Sequence, residues 1–170
     1  GSISTVFALG STSAANSGDN TVQAKAGDQI VFTFVDQLLG DGSGPANLNL
    51  LVNVIGGTDG SVEITQAMQP GDIAYVKVTD ADINTDSGVQ ETAQVVVTSS
   101  GGDSETVTLT ELHADDEVFF GTLSSGVIAL VVEDGIVSIA RPETLVATYD
   151  DVVTALGDQV DRTDTTQVID

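Results

Sequence analysis

The sequence predicts an all-β chain folded as a sandwich. Three observations predict it. Apolar residues come as short β-branched runs, with 24 Val and 20 Thr among 170 residues, each run bounded by Gly, Asp, Asn or Ser. Alternation with period two is explicit in Glu105-Thr-Val-Thr-Leu-Thr-Glu111, where Val107 and Leu109 share one face and the threonines the other. Helical periodicity is weak: only Asp150-Asp-Val-Val-Thr-Ala-Leu156 suggests a helical turn, between two strand patterns.

In chain order, strands are expected near 4–9, 21–25, 29–36, 48–55, 61–66, 73–79, 91–98, 105–112, 117–123, 127–132, 136–139, 144–149 and 164–169. The run Gln94-Val-Val-Val-Thr98 is nearly continuous in apolar character, as expected for a strand covered on both faces. Short strands separated by turns at close spacing point to a sandwich rather than an α/β sheet.

The chain repeats itself. Ala26-Gly-Asp-Gln-Ile-Val-Phe-Thr-Phe-Val-Asp36 matches Arg141-Pro-Glu-Thr-Leu-Val-Ala-Thr-Tyr-Asp-Asp151 at an offset of 115, and the flanking strands keep that register. A shorter echo is Pro70-Gly-Asp-Ile-Ala-Tyr-Val-Lys-Val-Thr-Asp80. A full unit then spans residues 58–170, the size of an immunoglobulin-like β-sandwich. Residues 1–57 match only the second half of such a unit. They form a half-unit or a small divergent β domain.

Two phrases carry a resemblance: Pro70-Gly-Asp-Ile-Ala-Tyr-Val-Lys-Val-Thr-Asp-Ala-Asp-Ile-Asn-Thr-Asp86, and Glu91-Thr-Ala-Gln-Val-Val-Val-Thr-Ser-Ser-Gly-Gly-Asp-Ser-Glu-Thr-Val-Thr-Leu-Thr-Glu111. They are followed by Glu117-Val-Phe-Phe-Gly121 and Val146-Ala-Thr-Tyr-Asp-Asp151. Together they resemble the Ig-like tandem repeats of large bacterial and archaeal cell-surface proteins of S-layer type. In place of the turn usual in those repeats stands Leu112-His-Ala-Asp-Asp116. The resemblance implies an extracellular, non-enzymatic module.

Charge narrows the function. Four Lys and Arg stand against 26 Asp and Glu, a net charge of −22. Nucleic-acid binding and adsorption to an anionic membrane are disfavoured, because both need a cationic surface. No apolar run approaches the roughly 18 residues of a membrane span. With no Cys there is no disulfide, thiolate nucleophile or thiolate metal site. The acids favour cation binding, solubility or a salty habitat.

The best local candidate for chemistry is Asp80-x-Asp82-x-Asn84-x-Asp86-x-Gly88-x-x-Glu91. It concentrates oxygen ligands as a Ca²⁺ loop does, with Glu at the twelfth position. Thr85 replaces the Gly of an EF-hand and the flanks read as strands, so a Ca²⁺ site at a sandwich end is expected, against a solvated turn whose acids cap local backbone. Weaker acidic groupings are Asp36 with Asp41, and Asp150 and Asp151 with Asp158; they read as solvated loops. His113 is the one histidine and reads as an exposed turn residue. No phosphate loop, nucleophile elbow or zinc spacing is present.

A half-sandwich leaves an apolar face, with Ile30, Phe32 and Phe34, in need of cover. The expected function is therefore an extracellular structural subunit. It assembles with itself head to tail by strand complementation, aided by calcium, with donors near 3–9 or 164–169. The rival expectation is a calcium-dependent adhesion or carbohydrate-binding module that contacts surface glycans.

Overall fold

The computed structural model describes residues 8–10 and 21–169. About half of these lie in strands, with one 3-10 turn at Ala81–Ile83 and no α-helix among them. Two compact units emerge: residues 1–56 with 155–158, and residues 57–154 with 159–170.

The first unit holds β1 (Ala8–Gly10), β2 (Thr21–Gln23), β3 (Gln29–Asp36) and β4 (Ala46–Asn53). β1 and β2 pair in parallel. β3 and β4 form a two-stranded antiparallel hairpin over eight residue pairs. The expected strand at 4–9 falls mostly outside the described residues.

The second unit holds β5 (Ser61–Ile64), β6 (Ala67–Met68), β7 (Ile73–Thr79), β8 (Thr92–Ser99), β9 (Ser104–Glu111), β10 (Val118–Gly126), β11 (Ile136–Ser138), β12 (Thr144–Asp151) and β13 (Val160–Val168). The strand path runs β5-β7-β10-β9-β8-β12-β13-β6, with β11 beside β10. β9 meets β10 over only two residue pairs. There the path turns from one layer into the other, giving a sandwich-like arrangement. The far ends approach each other again: the Ile64 amide donates to Asp164 at 2.9 Å and the Gln167 amide to the Gln66 carbonyl at 3.3 Å.

The core follows from period-two alternation. Ala74, Val76 and Val78 of β7, Val95 and Val97 of β8, and Val107 and Leu109 of β9 point inward and are buried. Phe119, Leu145 and Ala147 close the space between them. The expectation that 94–98 is covered on both faces is corrected: Val96 stands 39% exposed on the outer face. So is the strand expected at 127–132. Those residues form no strand, since β10 already has β7, β9 and β11 as neighbours and β propensity needs a partner edge to act on. The suggested helical turn at 150–156 is instead the end of β12 followed by bends and a turn.

The internal echoes take physical form as three equivalent turns, at Lys25–Asp28, Gln69–Asp72 and Ala140–Glu143. In each, the amide of the last residue donates to the carbonyl of the first at 3.0 Å. In each, the acid of the last residue accepts the amide of the first, at 2.9, 2.8 and 2.9 Å. Gly27 and Gly71 supply the positive φ (87° and 99°) that the third turn position requires. At the third turn Pro142 replaces Gly with a cis peptide bond, the other backbone solution for that position. Each turn then feeds a strand: β3, β7 and β12.

Candidate functional site

The hairpin of the first unit is the most distinctive surface. Directly paired residues share a face, so Ile30 with Val52, Phe32 with Leu50, and Phe34 with Leu48 place six apolar side chains on one side. The opposite side is mixed. There the Gln29 amide donates to Asn53 Oδ1 at 3.0 Å and the Thr33 hydroxyl to Asn49 Oδ1 at 2.9 Å. None of residues 21–56 and 155–158 is buried. Phe34 is 50% exposed and Leu50 62%.

The repeat relates this face to a buried one. Ile30, Phe32 and Phe34 correspond to Leu145, Ala147 and Tyr149 of β12, all buried in the second unit. β12 also pairs with β8 on the edge away from β13, through Leu145 to Thr148. The corresponding edge of β3, Ile30 to Thr33, has no second strand among the described residues.

The expected donor at 164–169 lies largely in β13, which is paired with β12 from Val160 to Gln167.

The acidic loop follows β7. Asp80 is buried and caps the 3-10 turn, its Oδ1 accepting the Asp82 amide at 2.8 Å and its Oδ2 the Tyr149 hydroxyl at 2.6 Å. Asp82 Oδ2 accepts the Thr58 amide at 2.7 Å. Asn84 is the C-cap of the turn. Asp86 Oδ1 accepts the Gly88 amide at 3.0 Å. Glu91 Oε1 accepts the Thr85 hydroxyl at 2.6 Å and the Thr85 and Asp86 amides at 2.8 Å. The loop thus links Asp80 to Asp82, and Asp86 to Glu91, in two separate halves. Three or more acidic or imidazole side chains do not converge as a metal cage among the described residues. Glu91 Oε2 is buried without a partner. The Thr85 hydroxyl, aided by the two amides, holds the Glu91 carboxyl below its usual range.

The weaker acidic groupings serve local structure. Asp36 accepts the Leu38 amide at 3.2 Å, and Asp41 the Ser43 amide and hydroxyl at 2.9 and 2.6 Å. Asp150 takes both bonds from Gln159, whereas Asp151 faces inward. His113 has an 85% exposed side chain, 3.5 Å from Asp116.

Sequence reasoning missed the interior acids. Asp151 Oδ2 accepts the Gly60 amide at 2.8 Å and Arg162 Nε and Nη2 at 3.0 and 2.8 Å, while Arg162 also reaches Asp59 at 3.0 Å. Glu105 binds the Asp134 and Gly135 amides, Glu111 those of Glu91 and Asp116, and Asp103 those of Ser104 and Ser138. The alternation of β9 held the signal, because Glu105 and Glu111 share the odd-numbered face with Val107 and Leu109.

A last surface feature is an aromatic pair. Tyr75 and Phe120 lie on neighbouring strands with ring centroids 5.9 Å apart and planes at 29°. Tyr75 also lines a cleft of about 460 Å³ with Thr65, Asp72 and Ile73.

Comparison with known protein families and with curated proteins finds no match. Among the described residues no helix is long and apolar enough to cross a membrane.

Proposed function

We propose that the chain is an extracellular, non-catalytic structural subunit that assembles with copies of itself head to tail, by completing an Ig-like half-unit with a strand from a neighbour. One observation carries this reading: the β3–β4 hairpin gathers apolar side chains on one face, of which Phe34, Leu48, Leu50 and Val52 are exposed, where the matching face of β12 is buried. Covering such a face is favourable at roughly 25 cal/mol per Å² of apolar surface removed from water. A donor and an acceptor at different places on one chain make a heterologous contact, which propagates into a filament, tube or lattice.

The calcium part of the reading rests on Glu91 Oε2, with Asp86 beside it, as an oxygen donor for a weak site in the outer half of the loop. Ca²⁺ there would tie the loop down without being the assembly contact.

Sedimentation velocity of the full chain against Phe34→Asp tests the reading. The unaltered protein should sediment as a concentration-dependent series of larger species, and the variant as a monomer. A monomer in both cases, at every concentration, rejects it.

The Tyr75–Phe120 pair favours a second reading, a carbohydrate-binding module. Near-parallel exposed rings suit the C–H faces of a neutral sugar, and the hydroxyls of Thr110 and Thr122 lie directly across from Phe120 and Tyr75. Gel retardation by hydroxyethylcellulose or xylan, lost in Tyr75→Ala/Phe120→Ala, would support it. Unretarded migration in both gels would remove it.

A further inference from the structure

The cleft beside Tyr75 and the aromatic pair share a residue. Tyr75 stacks on Phe120 and also lines the cleft. Thr65, Ala67, Met68, Gly71, Asp72 and Ile73 complete the lining, with Met68 buried and Ile73 and Tyr75 about half exposed. The turn that leads into β7 is fixed from β10. The Gly71 amide donates to Ser125 Oγ at 3.2 Å, and the Ser125 hydroxyl donates to the Asp72 carbonyl at 2.7 Å. Two side chains bring hydrogen-bonding capacity to this cleft. Asp72 Oδ2 accepts the Gln69 amide at 2.8 Å, and a carboxylate with two oxygens can accept more. The Thr65 hydroxyl accepts the Tyr75 amide at 2.9 Å and has its own proton to donate.

The three equivalent turns show which part of this surface is structural. Each needs its closing carboxylate, from Asp28, Asp72 or Glu143, to accept an amide. Three positions after that acid stand Val31, Tyr75 and Val146. Only the middle turn sets an aromatic ring beside its carboxylate, so the turn itself does not require the ring. Charge then selects the ligand. Asp72 is the one charged residue of the cleft lining. The nearby cation, Lys77, lies directly across from Phe120 and is paired with Glu63 at 2.7 Å. On a chain of net charge −22, such a site repels anions and attracts cations.

We infer that this surface binds a short amino-sugar chain, whose hexose units carry free ammonium groups. The inference rests on the carbohydrate-binding reading and names the ligand class. Tyr75 and Phe120 take the C–H face of the chain. Asp72 takes the ammonium of the unit in the cleft, and the Thr65 hydroxyl a neighbouring oxygen. An ammonium between a carboxylate and an aromatic face gains from both. The cleft, about 460 Å³, falls within the range of about 300–1,000 Å³ usual for small-molecule sites. Because Asp72 is exposed, its ion pair is weak and screened by salt. Selectivity is therefore read as a ratio between matched sugars.

Saturation-transfer NMR titration of the full chain tests this with the β-1,4-linked glucosamine disaccharide and its N-acetylated counterpart, which lacks the charge. The amine should bind about threefold or more tightly than the acetylated sugar at low salt, and the difference should shrink as salt is added. Asp72→Asn keeps an oxygen for the Gln69 amide and removes the charge, so it should erase the preference. Asp28→Asn makes the same change in the equivalent turn, which has no ring, and should leave the preference intact. Tyr75→Ala should weaken both sugars. Equal binding of the two sugars, or an equal effect of Asp28→Asn and Asp72→Asn, would overturn the ammonium assignment; the carbohydrate reading would stand if Tyr75→Ala still weakened binding. If neither sugar binds and the polysaccharide gels do not retard the protein, both fall.

Discussion

The Tyr149 hydroxyl donates to Asp80 Oδ2 at 2.6 Å, a buried bond that ties the end of β12 to the residue where the acidic loop begins. It explains why the most suggestive acid in the sequence is not simply a free ligand. Asp80 is spent on one side in capping the 3-10 turn and on the other in satisfying a buried phenol. Removing the hydroxyl with Tyr149→Phe should cost about 1–3 kcal/mol, since a buried carboxylate oxygen loses its donor. A chemical-denaturation midpoint unchanged from the parent would contradict this.

The same pair predicts an alkaline limit. Burial first, and then the bond to Asp80, raise the Tyr149 pKa above that of a free tyrosine. The unfolded chain therefore ionises here at about pH 10 while the folded chain does not. The stabilisation is complete below that pH and declines as pH rises further. Thermal melts from pH 8 to 11 should show a steeper fall for the parent than for Tyr149→Phe; parallel curves would refute it.

Glu91 sets the acid side. Its carboxyl is held low chiefly by the Thr85 hydroxyl. Its contribution is thus present above the unfolded carboxyl pKa of about 4.3 and is lost as pH falls through the lower folded value. Glu91→Gln should flatten the melting-temperature profile below about pH 4.3. An identical acid slope in parent and variant would show that the loop bonds contribute nothing.

Calcium should raise the melting temperature of the parent by on the order of a few degrees at millimolar concentration. Asp86→Asn/Glu91→Gln should abolish that difference between Ca²⁺ and EDTA. Asp80 is the wrong residue for this comparison, because its loss weakens the fold in either buffer. A parent that melts identically in Ca²⁺ and EDTA removes calcium from the account.

Gly121 lies inside β10, where a Cβ would come within 2.5 Å of Leu109 Cδ2 and 3.1 Å of the Thr108 carbonyl oxygen. Gly121→Ala should cost about 1–3 kcal/mol by overpacking. Leu109→Ala alone should cost about 2–5 kcal/mol. Made together, the two should cost less than their sum, because the new methyl enters the space Leu109 vacates. Strict additivity in a double-mutant cycle would contradict this packing.

Much of the fold was legible because local chemistry and tertiary structure agree. The threonines of 106–110 face out and Val107 and Leu109 face in, as their alternation requires. The match of 26–36 to 141–151 is mirrored in turns that share the same carboxylate-to-amide bond. The exceptions have physical reasons. Val127 to Val132 read as a strand from composition alone, but a strand needs a free edge and β10 offers none. The continuous Val95-Val96-Val97 run suggested cover on both faces, yet Val96 stands on the outer one. The acidic loop read as one ligand set. Its spacing was visible, but the reach of Asp80 to Tyr149, 69 residues away, was not. Arg162 was invisible for the same reason: its partners Asp151 and Asp59 are brought to it only by the fold.

The central proposal is that the exposed apolar residues of the β3–β4 hairpin are covered by another copy of the chain. Negative-stain electron microscopy of the purified full chain, over a range of concentrations, tests it most directly. The account predicts regular filaments, tubes or sheets, and their loss in Phe34→Asp. Dispersed single particles at every concentration would contradict it.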